Sequence, residues 1–245
     1  MNYTCCLRFR TIYMATYMSW LTHRVRNAQW RIRQKYVHNF AFIHIPKTGG
    51  TSINRALGLA DEHKTALQLR GRLGAERWER KFRFAFVRNP WDRAVSAFKF
   101  ARDRNKDSRF VALSFRDWLR LAYVERHPLY FDTPVSFLPQ FDWISDDSDC
   151  VLVDFVGRFE NLAVDFTNVC ERIGRKVPTL PHHNSTKRDD YRSYYDDEGI
   201  EIIAHWYRKD IEYFCYEFSP STEVALRQMR KVEHRQPAGR LTHAT

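Results

Sequence analysis

The sequence predicts an α/β fold, a three-layer sandwich in which a central parallel sheet lies between two layers of helices. Three observations carry that expectation. Short apolar runs rich in aromatic and β-branched residues read as buried strands: Phe40-Ala41-Phe42-Ile43-His44-Ile45, Phe82 to Val87, and Val151 to Val156. Segments with helical spacing of apolar residues separate them, and strands alternating with helices imply right-handed crossovers between parallel neighbours. The first two runs end in polar turns, at Pro46-Lys47 and at Arg88-Asn89-Pro90. Sheets of this kind collect their ligands at the carboxyl ends of the strands.

After the first strand, Thr51 to Leu59 read as a helix stopped near Gly58, because glycine takes the left-handed backbone that closes a helix. The polar stretch Asp61-Glu62-His63-Lys64 leads into an amphipathic helix carrying Leu67 and Leu69 before Gly71 and Gly74. Pro90 suits the first turn of another helix, which Trp91 to Arg104 continue with Val95, Phe98 and Ala101 at helical spacing. Ser114 to Val124 read as a helix, and Leu162, Phe166, Val169, Cys170 and Ile173 mark one that ends at Gly174. Gly199 to Phe214 read as the last. The aromatic stretch from Tyr123 to Trp143 is expected in the core and along a cleft wall, where one ring can stack on a base or a sugar.

A chain of 245 residues can build one sizeable domain with decorations. Its formal charge of +11 is unevenly placed. Residues 1–40 carry seven Arg or Lys and no Asp or Glu, residues 221–245 carry five basic and two acidic residues, and the body between them carries +1. The expected organisation is therefore a basic arm over residues 1–39, a domain over 40–220 and a basic tail over 221–245. A nearly neutral body argues against nucleic acid as a partner, since counterion release needs many clustered cations. The five cysteines, Cys5, Cys6, Cys150, Cys170 and Cys215, show neither zinc-site spacing nor a disulfide framework, and free buried thiols are expected.

The apolar-leaning run Thr11 to Leu21 is too short and polar to span a bilayer. A basic, partly helical arm is expected there, although its acid-free composition also resembles a transit peptide. Ile12, Tyr13, Met14, Tyr17, Trp20 and Leu21, flanked by arginines, offer a peripheral membrane contact as the alternative.

The residues with most chemistry are Pro46, Lys47, Thr48, Gly49, Gly50, Thr51 and Ser52. Glycines let backbone amides approach an anion, the following helix points its positive end at it, and lysine and hydroxyls add donors. The order is wrong for a nucleoside triphosphate loop, which places Gly-Lys-Ser/Thr last. Here the lysine precedes both glycines, so a different phosphorylated donor is expected. In the second segment, Arg88 offers a fork of donors at a strand end, and Ser96, about two helical turns on, offers a hydroxyl. Asp92 is a carboxylate with which Arg88 could pair instead.

With both segments in place the chain resembles the sulfotransferases that use 3′-phosphoadenosine 5′-phosphosulfate (PAPS), specifically the family of carbohydrate and heparan 2-O-sulfotransferases. Pro46 to Ser52 look like that family's 5′-phosphosulfate loop and Arg88 to Ser96 like its 3′-phosphate motif. Val156 to Leu162, His182 to Arg188, Tyr194-Tyr195-Asp196, Asp210-Ile211 and Tyr216-Glu217-Phe218 are similar to its carboxyl-terminal half. The resemblance implies a sulfotransferase fold akin to P-loop NTPases, PAPS as co-substrate without a metal, and in-line transfer of a sulfuryl group to a hydroxyl of a carbohydrate or related small acceptor.

It also implies roles for residues. Lys47 would act on the leaving phosphate, and Arg88 and Ser96, with Lys187 or Arg188, would hold the 3′-phosphate. In the related enzymes the catalytic histidine lies between the two motifs, an interval that holds His63; Glu62 and Asp61 are the alternatives. His44 is expected as a satisfied core histidine, and His182 and His183 as part of a lid over the donor. A cytoplasmic location is expected, with a membrane-associated or Golgi one as the alternative. Two other functions compete: a kinase or nucleotide hydrolase on the same scaffold, and a non-enzymatic binder of anions or nucleic acid.

Overall fold

A computed structural model describes residues 29–104, 110, 112–178 and 189–219. Three parallel strands form the sheet in the order β1 (Phe40–Ile43), β2 (Phe82–Val87), β3 (Phe155–Arg158), with β2 in the middle. Phe40 pairs with Phe82 and Ile43 with Ala85, so the loops that follow β1 and β2 leave the same edge. Alternation along the strands gives each face its own core. Phe40, Phe42, Phe84 and Phe86 point to one side, against α2 (Gly50–Leu57) and α8 (Leu162–Arg172). Ala41, Ile43, Ala85 and Val87 point to the other. There the small side chains admit α3 (Ala66–Leu73), α5 (Pro90–Arg104) and α9 (Asp197–Trp206), and this second core is the larger. The predicted α/β sandwich with a covered parallel sheet is the fold observed.

Local chemistry sets the boundaries of the helices. Gly58 is left-handed (φ 66°) and closes α2 where expected. Thr65 and Gln68 form a reciprocal capping box at the start of α3, and each satisfies an amide that the helix cannot. Gly71 lies inside α3, which ends at Gly74, and its buried face is Ala66, Leu69 and Leu73; Leu67 is exposed. A short α4 (Ala75–Glu79) then leads into β2. Asn89 caps α5, its side-chain oxygen accepting from the amides of Trp91 and Asp92, with Pro90 in the first turn.

Other elements depart from expectation. The helix predicted over Ser114 to Val124 is α6 (Phe115–Leu119) running into a wider π turn at Arg120–Val124. Between Pro134 and Ile144 lie a 3-10 turn and α7 (Gln140–Ile144). The third strand sits four residues later than Val151 predicts. Val151 instead makes an isolated antiparallel bridge with Ser145, and Leu152 donates to the Ile144 carbonyl. Asp154 caps the approach, its amide donating to the Arg83 carbonyl while its carboxylate accepts from the Arg83 amide and guanidinium. The last predicted helix is two, α9 and α10 (Arg208–Phe214), broken at Tyr207 (φ −105°, ψ 30°), a buried side chain whose hydroxyl meets that of Tyr123.

Residues 29–36 are helical (α1) and pack onto the body through Gln34, which accepts from Arg72, while His38 just beyond the helix accepts at its carbonyl from Lys81. Among the described cysteines only Cys170 is buried; Cys150 and Cys215 are exposed, contrary to the expected set of buried thiols. All three are free. Among the described residues no helix is long and apolar enough to cross a membrane. The tail over 221–245, residues 1–28 with the proposed membrane contact, and His182, His183, Lys187 and Arg188 lie outside the described residues.

Candidate active site

The loop after β1 turns sharply. Lys47 and Gly49 both adopt positive φ, 69° and 84°, and Gly49 stands immediately before α2. The amides of Gly50 and Thr51 open the helix and have no acceptor within it. Glycine is required at 50 for a reason that its place in the loop does not show. The His44 ring lies directly beneath it, and a Cβ there would come within 2.0 Å of His44 Cδ2. Thr48 is buried and donates its hydroxyl to the Ile45 carbonyl, which holds the turn closed, whereas Ser52 is buried within α2.

Arg88 emerges three residues beyond Ala85, the partner of Ile43, and meets the loop. Its Nη1 donates to the Lys47 carbonyl at 3.1 Å. Its Nε donates to Asp92 at 2.7 Å, and its guanidinium lies 3.9 Å from the Phe159 ring centre. The carboxylate weighed as an alternative partner is thus engaged, and it orients the arginine while the arginine fixes Lys47. Ser96 is half-buried on the second turn of α5. The Lys47 ammonium lies 3.7 Å over the Phe100 ring. Removal from water, with Arg88 and Arg104 nearby, lowers its pKa to about 8 against the partial counterweight of Asp103.

The histidines gather on the other side of the loop. His44 is buried, with Nδ1 at 2.8 Å from Asp61 and 3.0 Å from the Asn54 amide. Burial lowers its pKa, while the bond from His44 holds the Asp61 carboxyl below its ordinary range. His63 is exposed and stacks obliquely on His44 at 4.2 Å. Its Nδ1 lies 3.0 Å from the His44 carbonyl. A carbonyl only accepts, so Nδ1 carries the hydrogen and Nε2 the lone pair of the neutral ring. Glu62 is held by Arg72 at 2.5 Å. His44, Asp61 and His63 also place one potential metal-ligand atom each within 4.8 Å of one another, a grouping that no spacing in the sequence revealed.

Several residues that order this site were not identified from sequence. Arg93, 2% exposed, donates to the carbonyls of Pro46, Ser136 and Leu138 and thereby ties the loop to the segment before α7. Gln140 clasps both the amide and the carbonyl of Arg88, and buried Asp210 accepts from the amides of Gln140 and Phe141. Glu160 accepts from the Asn89 amide at 2.6 Å. The resemblance includes the segments holding Arg93, Glu160 and Asp210 without assigning them a role; Gln140 carried no signal beyond residue type.

A glycine-rich loop opening a helix, joined to two cations at the carboxyl edge of a parallel sheet, is the arrangement by which α/β proteins commonly hold phosphate groups. The chain belongs to the Sulfotransferase family, whose model matches residues 30–217. Such proteins are transferases of the EC 2.8.2 type, and the family generally takes its sulfuryl group from PAPS. An uncharacterized protein from Archaeoglobus fulgidus is 28% identical over 130 residues, which are 52% of this chain and 96% of that one. The crystal structure of a sulfotransferase from Alicyclobacillus acidocaldarius is similar with 18% identity and a TM-score of 0.42, over 74% of this chain and 97% of the other.

Proposed function

We propose that this protein transfers the sulfuryl group of PAPS to a hydroxyl of a carbohydrate or a related small acceptor. The observation that carries this reading is the junction of Lys47 and Arg88, two cations from different strands linked through the Lys47 carbonyl at the mouth of the glycine loop. A donor with a phosphosulfate at one end and a phosphate at the other needs two such anchors. Pro46 to Ser52 take the 5′ end, through the amides at the start of α2, and Arg88 with Ser96 take the 3′-phosphate. Lys187 and Arg188 are proposed to add to the second anchor.

In the transfer step the bond between sulfur and the bridging oxygen breaks while a bond forms to the acceptor oxygen on the opposite side. Lys47 offsets the charge that collects on the departing phosphate. The acceptor proton passes to Nε2 of His63, which the hydrogen bond from Nδ1 to the His44 carbonyl leaves in the accepting tautomer. Asp61 and Glu62 are less suited to that role, being engaged by His44 and Arg72. Holding Pro46 and Arg88 through Arg93 and Gln140 keeps donor and acceptor in line without rearrangement on binding.

The test is a competition by calorimetry. Adenosine 3′,5′-bisphosphate is expected to bind without magnesium and to be displaced by PAPS, after which labelled PAPS is offered with a panel of glycans and small alcohols. Tight binding of magnesium-ATP with no affinity for the bisphosphate would sink the proposal.

A further inference from the structure

Phe100 lies four residues after Ser96 and so on the same face of α5, turned towards the glycine loop. It is 47% exposed, so its ring serves the core little. Instead the ring is covered by cations. Lys47 Nζ sits 3.7 Å from its centre, and the Arg104 guanidinium carbon lies 5.2 Å from it. A ring face attracts an ammonium, most strongly where water is partly excluded. Lysine otherwise has a flexible four-carbon stem whose ordering opposes binding.

We propose that Phe100 is a positioning residue for Lys47: its ring holds the ammonium at the mouth of the donor loop, aimed at the phosphate that departs. This rests on the reading of Lys47 as the cation for the leaving group. Lys47 is then fixed at both ends. Arg88 holds its carbonyl and with it the left-handed backbone at φ 69°, while Phe100 holds the tip of the side chain. Asp103 and Arg104, one turn further along α5, contribute opposing fields at the ammonium, and Arg88 adds a third from the adjoining loop. The ring is the neighbour that attracts the charge without competing with the donor as a carboxylate would.

The experiment is a double-mutant cycle read in the affinity for adenosine 3′,5′-bisphosphate and in turnover of PAPS. It uses the full chain and the variants Phe100→Leu, Phe100→Tyr, Lys47→Ala and Phe100→Leu/Lys47→Ala. Phe100→Leu is expected to weaken bisphosphate binding about fivefold, the scale of a partly desolvated cation–ring contact. Phe100→Tyr, which keeps the ring, is expected to recover most of that loss. In the Lys47→Ala background the leucine substitution is expected to have no further effect. Equal losses from leucine in both backgrounds, or a tyrosine variant as impaired as the leucine one, would overturn the role of Phe100 and leave that of Lys47 standing. Unchanged affinity and turnover in Lys47→Ala would overturn the reading of Lys47 itself.

Discussion

Gly50→Ala offers the sharpest test of how the donor loop is built. The added Cβ would lie 2.0 Å from Cδ2 and 2.2 Å from Nε2 of His44, and ordinary contact begins near 3.4 Å. One group must therefore retreat by about 1.4 Å. His44 has little room to do so, because it is buried and its Nδ1 donates to Asp61 at 2.8 Å, with the Asn54 amide, itself a donor to Asp61, packed against it at 3.0 Å. A shift of that size breaks the hydrogen bond to Asp61. Overpacking costs roughly 1–3 kcal/mol and a hydrogen bond to a charged group about 1.5–3 kcal/mol, which together suggest about 3 kcal/mol. For a chain of this size that lowers Tm by roughly 6–12 °C. Thermal unfolding followed by circular dichroism measures the change, and titration with adenosine 3′,5′-bisphosphate measures the damage to the loop. Gly50→Ala/His44→Ala should recover part of both losses, because the obstacle is gone. A Gly50→Ala protein with the parent Tm and parent affinity would refute the steric argument, and a double variant no better than the sum of the singles would show that His44 is not the obstacle.

Four further outcomes are expected. Arg88→Ala should weaken bisphosphate binding by about 10- to 100-fold through loss of charged hydrogen bonds, as isothermal titration would show; parent affinity would remove Arg88 from the donor site. His63→Ala should lower turnover by about 100-fold, the usual scale for a lost general base, with bisphosphate affinity unchanged, and retained turnover would return the role to Asp61 or Glu62. The kcat/KM for PAPS should fall as pH rises through about 8, since Lys47 is charged only below that value. Lys47→Arg should move this fall to higher pH, and a profile flat across that region would contradict the assignment. His38 is buried beside Arg175, Arg33 and Lys81, and its pKa is lowered from 6.5 to about 4. The unfolded chain therefore binds its proton first, so stability present above pH 6.5 should be lost as pH falls towards 4. Denaturant midpoints across that window measure it, and His38→Gln should flatten the slope.

β1 and β2 are legible in the sequence because each is a continuous apolar run that stops near a polar turn, and the sheet pairs all of β1, which ends at Ile43 rather than Ile45, with the first four residues of β2. Val151 to Val153 have the same composition as those strands yet lie outside the sheet. What displaces them is the bond network between Asp154 and Arg83, a contact across 71 positions that composition cannot express. Lys47 and Arg88 were legible for a related reason: ligand groups in such sheets follow strand ends, and strand ends are local features. Arg93 was not, because its partners are three backbone carbonyls up to 47 positions away and nothing in its residue type signals burial. His63 stands between these cases. Its interval pointed to it, but the tautomer that suits it to accept a proton depends on the His44 carbonyl and becomes visible only in the fold.

The same geometry weighs on the rival reading as a magnesium-dependent kinase or hydrolase. Such an enzyme needs a carboxylate near the phosphate loop to hold its metal ion, classically at the carboxyl end of a neighbouring strand. Asp154, the acidic residue next to the third strand, precedes β3 rather than following it, and it is bound to Arg83 near the start of β2. Arg88 is five residues further along that strand, which places Asp154 about 16 Å from the loop at the rise of an extended chain. Glu160 does follow β3, but its carboxylate accepts from the Asn89 amide and the Tyr216 hydroxyl, and burial raises its pKa towards the neutral form. Asp92 stands beside the loop and is engaged by Arg88. Asp92 and Glu160, the acidic residues that follow the ends of β2 and β3, are thus committed to orienting Arg88 and its neighbour Asn89. That is the arrangement expected where arginine and lysine neutralise the donor, and it makes the affinity for adenosine 3′,5′-bisphosphate without magnesium the measurement that separates the two chemistries.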